Sequence, residues 1–168
     1  MITLRQGSLG DAEAFVRFLE EIRQEMPEKD WLYLDPPELV RKMVAEGTMA
    51  LWFAEDAGRI AAVFSILCPG MDPCNYGYDL NLTEGELRQV VHMDTAAVHL
   101  DYRGQGLQGR MLRAAEEALS GSGRKILLST VHPENRFSLG NLLKQGYEIQ
   151  KRVNKYGSER YILRKNIF

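Results

Sequence analysis

The 168-residue sequence predicts a mixed α/β fold of the α+β kind, built on a central and mostly antiparallel sheet. Three observations predict it. Segments of strand and helix character follow one another in the order β, α, α, β, β, β, α, β, α, β, β. Hairpin signals stand on both sides of the middle of the chain, and a glycine-rich turn joins a central strand to an amphipathic helix. The length suits one domain, residues 1–168, able to bury a core without metals or disulfides.

Ile2 to Arg5 is a short first strand, and Ser8 and Asp11 are cap candidates for a helix whose Ala14, Phe15, Phe18, Leu19 and Ile22 recur at helical spacing up to Pro27. Pro36-Pro37 opens a second helix, where proline is tolerated in the first turn, and Leu39, Val40, Met43 and Val44 give it an apolar face up to Gly47. Met49 to Ala54 and Arg59 to Leu67 are β-rich runs joined by a hairpin signal at Glu55-Asp56-Ala57-Gly58. Cys68 to Gln89 is too long for a simple turn, and its Asp72, Tyr76, Tyr78, Asp79, Glu84 and Glu86 suit either an amine-binding segment or a solvated loop. Val90 to Leu100 reads as a central strand that alternates until a bulge after Ala97. A helix from about Gly106 to Leu119 follows the glycine turn and stops at Gly121-Ser122-Gly123. Lys125 to Val131 is a continuous apolar strand, Asn135 to Gln145 a short helix ended by Gly146, and Tyr147 to Val153 with Arg160 to Arg164 a last strand pair around a loop from Asn154 to Glu159.

Composition narrows the function. A formal net charge of −2 provides no positive field for a polyanion, so nucleic acid is not an expected partner. Cys68 and Cys74, the only cysteines, make neither a disulfide framework nor a zinc site, and no metal is expected. With no basic, apolar leader at Met1 to Gly10 and no apolar run long enough for a bilayer, the sequence reads as a cytoplasmic protein without a membrane partner, monomer or homodimer.

Gly104-Gln105-Gly106-Leu107-Gln108-Gly109 fits G-x-G-x-x-G, a turn that brings backbone close to a pyrophosphate at a helix N-terminus. A dinucleotide-binding unit would need the glycines directly after a strand and an acid about twenty residues on. Here His99 to Arg103 intervenes, and Ser129 and Thr130 stand where the acid belongs. The phosphate loop of a nucleoside triphosphatase fails as well, because Arg110-Met111 replaces its lysine and hydroxyl residue.

The longer frame, from Ala96 through Arg103 and the glycine turn to Leu112, closely resembles motif A of the GNAT N-acetyltransferase superfamily, with Arg103 and Gly106 at the first and fourth signature positions. Ser129 to Tyr147 resembles the family's motif B through Asn135, Ser138 and Gly146-Tyr147. The resemblance implies a sheet splayed between its fourth and fifth strands, helices on both faces, and acetyl-CoA as co-substrate. It implies further that Ala96, Val98 and Leu100 lie along the pantetheine arm. The turn from Arg103 through Gly104, Gln105, Gly106, Leu107, Gln108 and Gly109 to Arg110 would hold the pyrophosphate, and Asn135 and Ser138 would contact the coenzyme arm. The expected activity is transfer of an acetyl group from acetyl-CoA directly to a primary amine of a small molecule or peptide. The alternative is a non-catalytic acyl-CoA-binding or sensing module.

His92 and Asp94 are two apart on the central strand and should share a face. In the family frame His92 stands where some members place a glutamate base, and an imidazole suits proton removal at neutral pH. Asp94 would orient it or bind a cationic amine; a purely structural histidine–carboxylate pair fits the same spacing. The family's tyrosine acid is replaced by Leu142, leaving Tyr147 as the catalytic tyrosine candidate, with Tyr156 and Tyr161 as alternatives.

Overall fold

The computed structural model describes residues 1–167. Seven strands form one sheet in the order β1-β2-β3-β4-β5-β7-β6, where β1 is Ile2–Gln6, β2 Met49–Asp56, β3 Arg59–Leu67, β4 Val90–Val98, β5 Ile126–Val131, β6 Glu148–Lys155 and β7 Ser158–Asn166. Every neighbouring pair is antiparallel except β4 and β5.

Strand alternation sorts the side chains into two layers. On one face α1 (Ala12–Glu25) and α2 (Pro37–Ala45) cover Leu51, Phe53, Val63 and Ala97. The cap candidates Ser8 and Asp11 form a capping box, with the Ser8 backbone N–H donating to Asp11 Oδ2 at 2.8 Å, although a single 3-10 turn precedes α1. On the other face α4 (Leu107–Ala118) and α5 (Arg136–Lys144) cover Trp52, Phe64, Val91, Met93, Leu127 and Leu163. The long segment before β4 carries a 3-10 turn at Tyr76–Leu80 and a one-turn helix α3 (Glu84–Leu87), which Thr83 and Glu86 cap reciprocally. Tyr76 anchors that segment in a third apolar cluster with Val90, Leu128 and Ile162. Among the described residues no helix is long and apolar enough to cross a membrane.

Two features of the sheet create an opening. Strands β4 and β5 pair only from Val90 with Ile126 to His92 with Leu128, and beyond His92 they diverge. At the fork the Ser129 hydroxyl donates to the Met93 carbonyl at 2.9 Å, satisfying an oxygen that the lost ladder would have bonded. The second feature is a bulge. The β3–β4 register passes from Ile66 opposite Met93 to Ser65 opposite Thr95, leaving Asp94 as the extra residue. Val91 and Met93 therefore belong to the α4 face, whereas beyond the bulge that face takes Ala96 and Val98, and Ala97 turns toward α1.

Two local expectations are corrected. The bulge lies at Asp94 and not beyond Ala97, because the alternation around residue 94 reads equally well in either register until the partner strand is known. The last two strands run on to Lys155 and restart at Ser158, so the expected six-residue loop is a two-residue turn, Tyr156-Gly157, with φ of +55° and +81°. Tyrosine is an unfavourable residue for a left-handed position, so the sequence carries no tight-turn signal there.

Candidate active site

On the α4 side of the fork the glycine turn presents free backbone donors. Gly104 and Gly106 have φ of +79° and +70°, conformations that side-chain-bearing residues adopt only with strain, and nothing lies within 4 Å of where their Cβ atoms would be. The first α4 backbone N–H that bonds back to the turn is that of Arg110, to the Gly106 carbonyl at 3.1 Å. Those of Leu107, Gln108 and Gly109 have no acceptor among the described residues, and they sit at the positive end of the helix dipole.

The predicted residues of this turn divide by task. Leu107 is buried and fastens the helix to the core, while Gly104, Gln105, Gly106 and Arg103 are exposed. Gly109 faces α5, where a Cβ would come within 2.9 Å of Gln145 Nε2. Gln108 accepts a hydrogen bond from Asn141 Nδ2 at 3.1 Å, tying α4 to α5, and Arg110 donates to the Ile2 carbonyl. The turn is braced from behind, where Tyr102 donates to Asp56 at 3.0 Å and Arg59 pairs with Asp101 at 2.9 Å.

The edge of β4 beyond the fork continues this surface. The His99 N–H donates to Ala61 on β3, so by antiparallel alternation Thr95 and Ala97 also face β3, and the backbone groups of Ala96 and Val98 face the opening. Leu100, in the turn that follows, is exposed. Across the fork Asn135 caps α5 by accepting from the Ser138 N–H at 3.3 Å.

On the α1 side of the same fork lies a narrow pocket with room for about one water-sized group. Its floor is Ser65, Asp94 and Thr95 of the sheet, and its far wall is Asp35, with Phe15, Leu19 and Met49 between them. Burial pushes the Asp94 carboxyl up to about 7, and the neighbouring Asp35 charge pushes it the same way; Asp35 is itself raised by burial. The Asp94 carboxyl is thus poised to exchange a proton near neutrality.

His92 shares that face, as its spacing predicted, but it is 1% exposed. Its Nε2 accepts the Tyr76 backbone N–H at 3.0 Å and its ring stacks on Tyr76 at 3.7 Å. Burial pushes its pKa down to about 3, so the ring is neutral with its proton on Nδ1. Tyr147 is buried in the α4 layer, where it donates to Glu116 at 2.8 Å, and burial together with that carboxylate raises its pKa. The fold therefore separates the three predicted catalytic residues: Asp94 reaches a pocket, His92 faces the same way without reaching it, and Tyr147 lies on the opposite side of the sheet. Leu142, at the family's tyrosine position, is core.

The profile of the Acetyltransferase (GNAT) family matches residues 16–147. The chain belongs to the GNAT acetyltransferase family. Solved structures agree on the fold of this GNAT protein. A GNAT acetyltransferase from Streptococcus pneumoniae is 20% identical, with TM-score 0.74 over 99% of this chain and 100% of that one. The Arabidopsis thaliana protein NAA60, crystallised with acetyl-CoA, is 15% identical, with TM-score 0.78 over 99% of each chain. The aminoglycoside acetyltransferase AAC(6')-Ib, crystallised with coenzyme A and kanamycin, is also 15% identical, with TM-score 0.70 over 99% of this chain and 95% of that one. No curated protein sequence matches significantly.

In this GNAT protein sequence reasoning missed Tyr33, Asp35, Ser65 and Thr95. Asp35 lies in the connection before α2 and Tyr33 two residues earlier, where no periodicity marks a residue as facing anything. Tyr156, a secondary candidate, stacks on Tyr33 at 4.4 Å and shares a 2.6 Å hydrogen bond with the Tyr76 hydroxyl, which offsets its left-handed backbone. Burial, the largest cause, raises its hydroxyl to about 12, so it stays protonated at neutral pH.

Proposed function

We propose that the protein is an acetyl-CoA-dependent N-acetyltransferase that acts directly on a primary amine. One observation carries the reading: a single strand, β4, offers backbone donors at Ala96 and Val98 on its open edge and a proton acceptor at Asp94 in the pocket on the other side of the fork. Acetyl-CoA fits the α4 side on the chain's own features, namely unpaired N–H groups at a helix N-terminus, two left-handed glycines that let a ligand approach, and an unpartnered strand edge. The turn from Arg103 to Gly109 would hold the pyrophosphate, and the edge at Ala96 and Val98 the arm, with Asn135 and Ser138 opposite.

When bound, acetyl-CoA supplies an acetyl group activated as a thioester. This chain's residues do the rest. Asp94 takes the proton from the acceptor ammonium, which must be neutral to attack, and its raised pKa matches that task near pH 7. The Val98 N–H, on the open edge, is positioned to polarise a carbonyl oxygen. His92 is a positioning residue: by accepting the Tyr76 N–H and stacking on its ring it fixes the Tyr76 hydroxyl, which in turn bonds Tyr156, stacked on the pocket-lining Tyr33. Tyr156 offers a proton on the acceptor side in place of the family's missing tyrosine, and Tyr147 takes no part.

A second reading, a non-catalytic acyl-CoA sensor, is favoured by Leu142 alone. Incubating the pure protein with acetyl-CoA and a panel of primary amines while titrating free thiol tests both. Amine-dependent thiol release supports the transferase; tight acetyl-CoA binding without release from any amine supports the sensor.

A further inference from the structure

Phe137, in the first turn of α5, contributes nothing to the core. It is 85% exposed, more than any other large apolar side chain except Met1, and among the described residues it packs into none of the hydrophobic clusters. Single apolar residues on a surface are ordinary, so the exposure alone means little. Its position gives it a use.

Asn141 follows Phe137 by one helical turn on the same stripe of α5, and its side chain bonds Gln108 in the first turn of α4 at 3.1 Å. One turn further on, Gln145 accepts from Arg113 of α4 at 3.3 Å. The two helices therefore run side by side in the same direction, and the stripe of Phe137, Asn141 and Gln145 faces α4. Phe137 is the member that overhangs the end of α4, about 6 Å before Asn141 along the helix axis. That sets its ring level with the glycine turn, whose far end opens the unpaired N–H groups of Leu107, Gln108 and Gly109.

A pyrophosphate held there has two ends. One leads into the fork, where the open edge at Ala96 and Val98 faces Asn135 and Ser138 and suits the pantetheine arm. The other end bears adenosine and must leave across the outer surface between the glycine turn and the start of α5. From Arg103 to Arg110 and from Asn135 to Gly140, Phe137 is the sole aromatic residue. A phenyl ring with open space over it gains free energy when a purine stacks on it.

We propose that Phe137 is the stacking platform for the adenine of acetyl-CoA, and that it makes the protein prefer the full coenzyme to acyl carriers whose phosphopantetheine arm ends without an adenosine. The inference rests on the pyrophosphate lying at the glycine turn.

S-acetyl-4′-phosphopantetheine carries the thioester, the arm and one phosphate but no adenine, so it isolates the stacking contact. In calorimetry Phe137→Ala should weaken acetyl-CoA about tenfold and leave S-acetyl-4′-phosphopantetheine, measured by competition, unchanged. The variant should fold as well as the natural protein, because the side chain removed is exposed and alanine favours a helix. Phe137→Trp should keep the affinity, and its new indole emission should be quenched by acetyl-CoA but not by S-acetyl-4′-phosphopantetheine, beyond any change at the natural Trp31 and Trp52. Unchanged acetyl-CoA affinity in Phe137→Ala, with or without a change in oligomeric state, overturns the proposal and keeps the coenzyme reading. Equal weakening of both ligands also overturns it, since the contact then belongs to the shared arm. If the natural protein binds neither ligand, the coenzyme reading falls with it.

Discussion

Replacing Asp94 by asparagine should make the protein more stable at alkaline pH while removing its activity, and the two effects have one cause. Folding lifts the Asp94 carboxyl from 3.8 to about 7, so between these values the folded protein holds a proton that the unfolded chain has lost. Stability from this group is complete below pH 3.8 and is lost as pH rises through about 7. At about 1.4 kcal/mol per pH unit the full span amounts to about 4 kcal/mol, of which about 3 kcal/mol should develop between pH 5 and pH 8. The wild-type curve alone will not reveal it. His92 is depressed from 6.5 to about 3, so its contribution is complete above pH 6.5 and is lost as pH falls, with opposite sign over much of the same range. Urea unfolding of both proteins from pH 5 to pH 8 isolates Asp94 as the difference: asparagine is neutral throughout, so the stability of Asp94→Asn relative to wild type should climb by about 3 kcal/mol. Wild-type kcat/KM should rise with pH through a limb near 7 as the base deprotonates, and Asp94→Asn should lose about 100-fold or more. A flat difference curve, or a variant that keeps its activity, would refute the assignment.

Other residues give sharper contrasts. His92→Ala should lose about 2–4 kcal/mol of stability from the emptied ring site and the orphaned Tyr76 N–H, while keeping the activity limb near pH 7; disappearance of that limb would return the base to His92. Tyr147→Phe should cost about 1.5–3 kcal/mol, because Glu116 Oε1 loses its donor while Lys165 still donates to Oε2, with kcat/KM unchanged. Gly106→Ala should cost about 1–2 kcal/mol through its left-handed backbone and weaken acetyl-CoA in calorimetry. Gly109→Ala should change stability by less than about 1 kcal/mol, since only the mobile end of Gln145 must move aside and alanine favours the helix. Equal losses at the two glycines would contradict the division of labour in the turn.

The residues that hold the acceptor side are spread widely in sequence. Asp35, Ser65, Tyr76, Asp94 and Tyr156 come from the helix connection, two strands, the long segment before β4 and the last hairpin. The Tyr33–Tyr156 stack, together with Arg160 on the carbonyls of Asp30 and Trp31, clamps the helix connection to β7 and the last turn. The acceptor side therefore depends on contacts more than a hundred residues apart in the chain.

What the sequence by itself determined is what local physics controls. Periodicity of 3.6 or 2 marks the helices and strands, and glycines at 104 and 106 mark a backbone that only they adopt readily. A strand, a glycine turn and a helix in succession make an anion-binding end without help from the rest of the chain. Tertiary structure alone decided which of the marked side chains meet. The bulge that turns Asp94 and Thr95 to one face is defined by the register against β3, and the divergence after His92 by a strand pairing that ends after three residues. Whether a histidine takes up a proton or serves as a buried acceptor depends on its solvent exposure and on the N–H placed beside it. At His92 that N–H belongs to Tyr76, sixteen residues earlier, and only folding brings the two together.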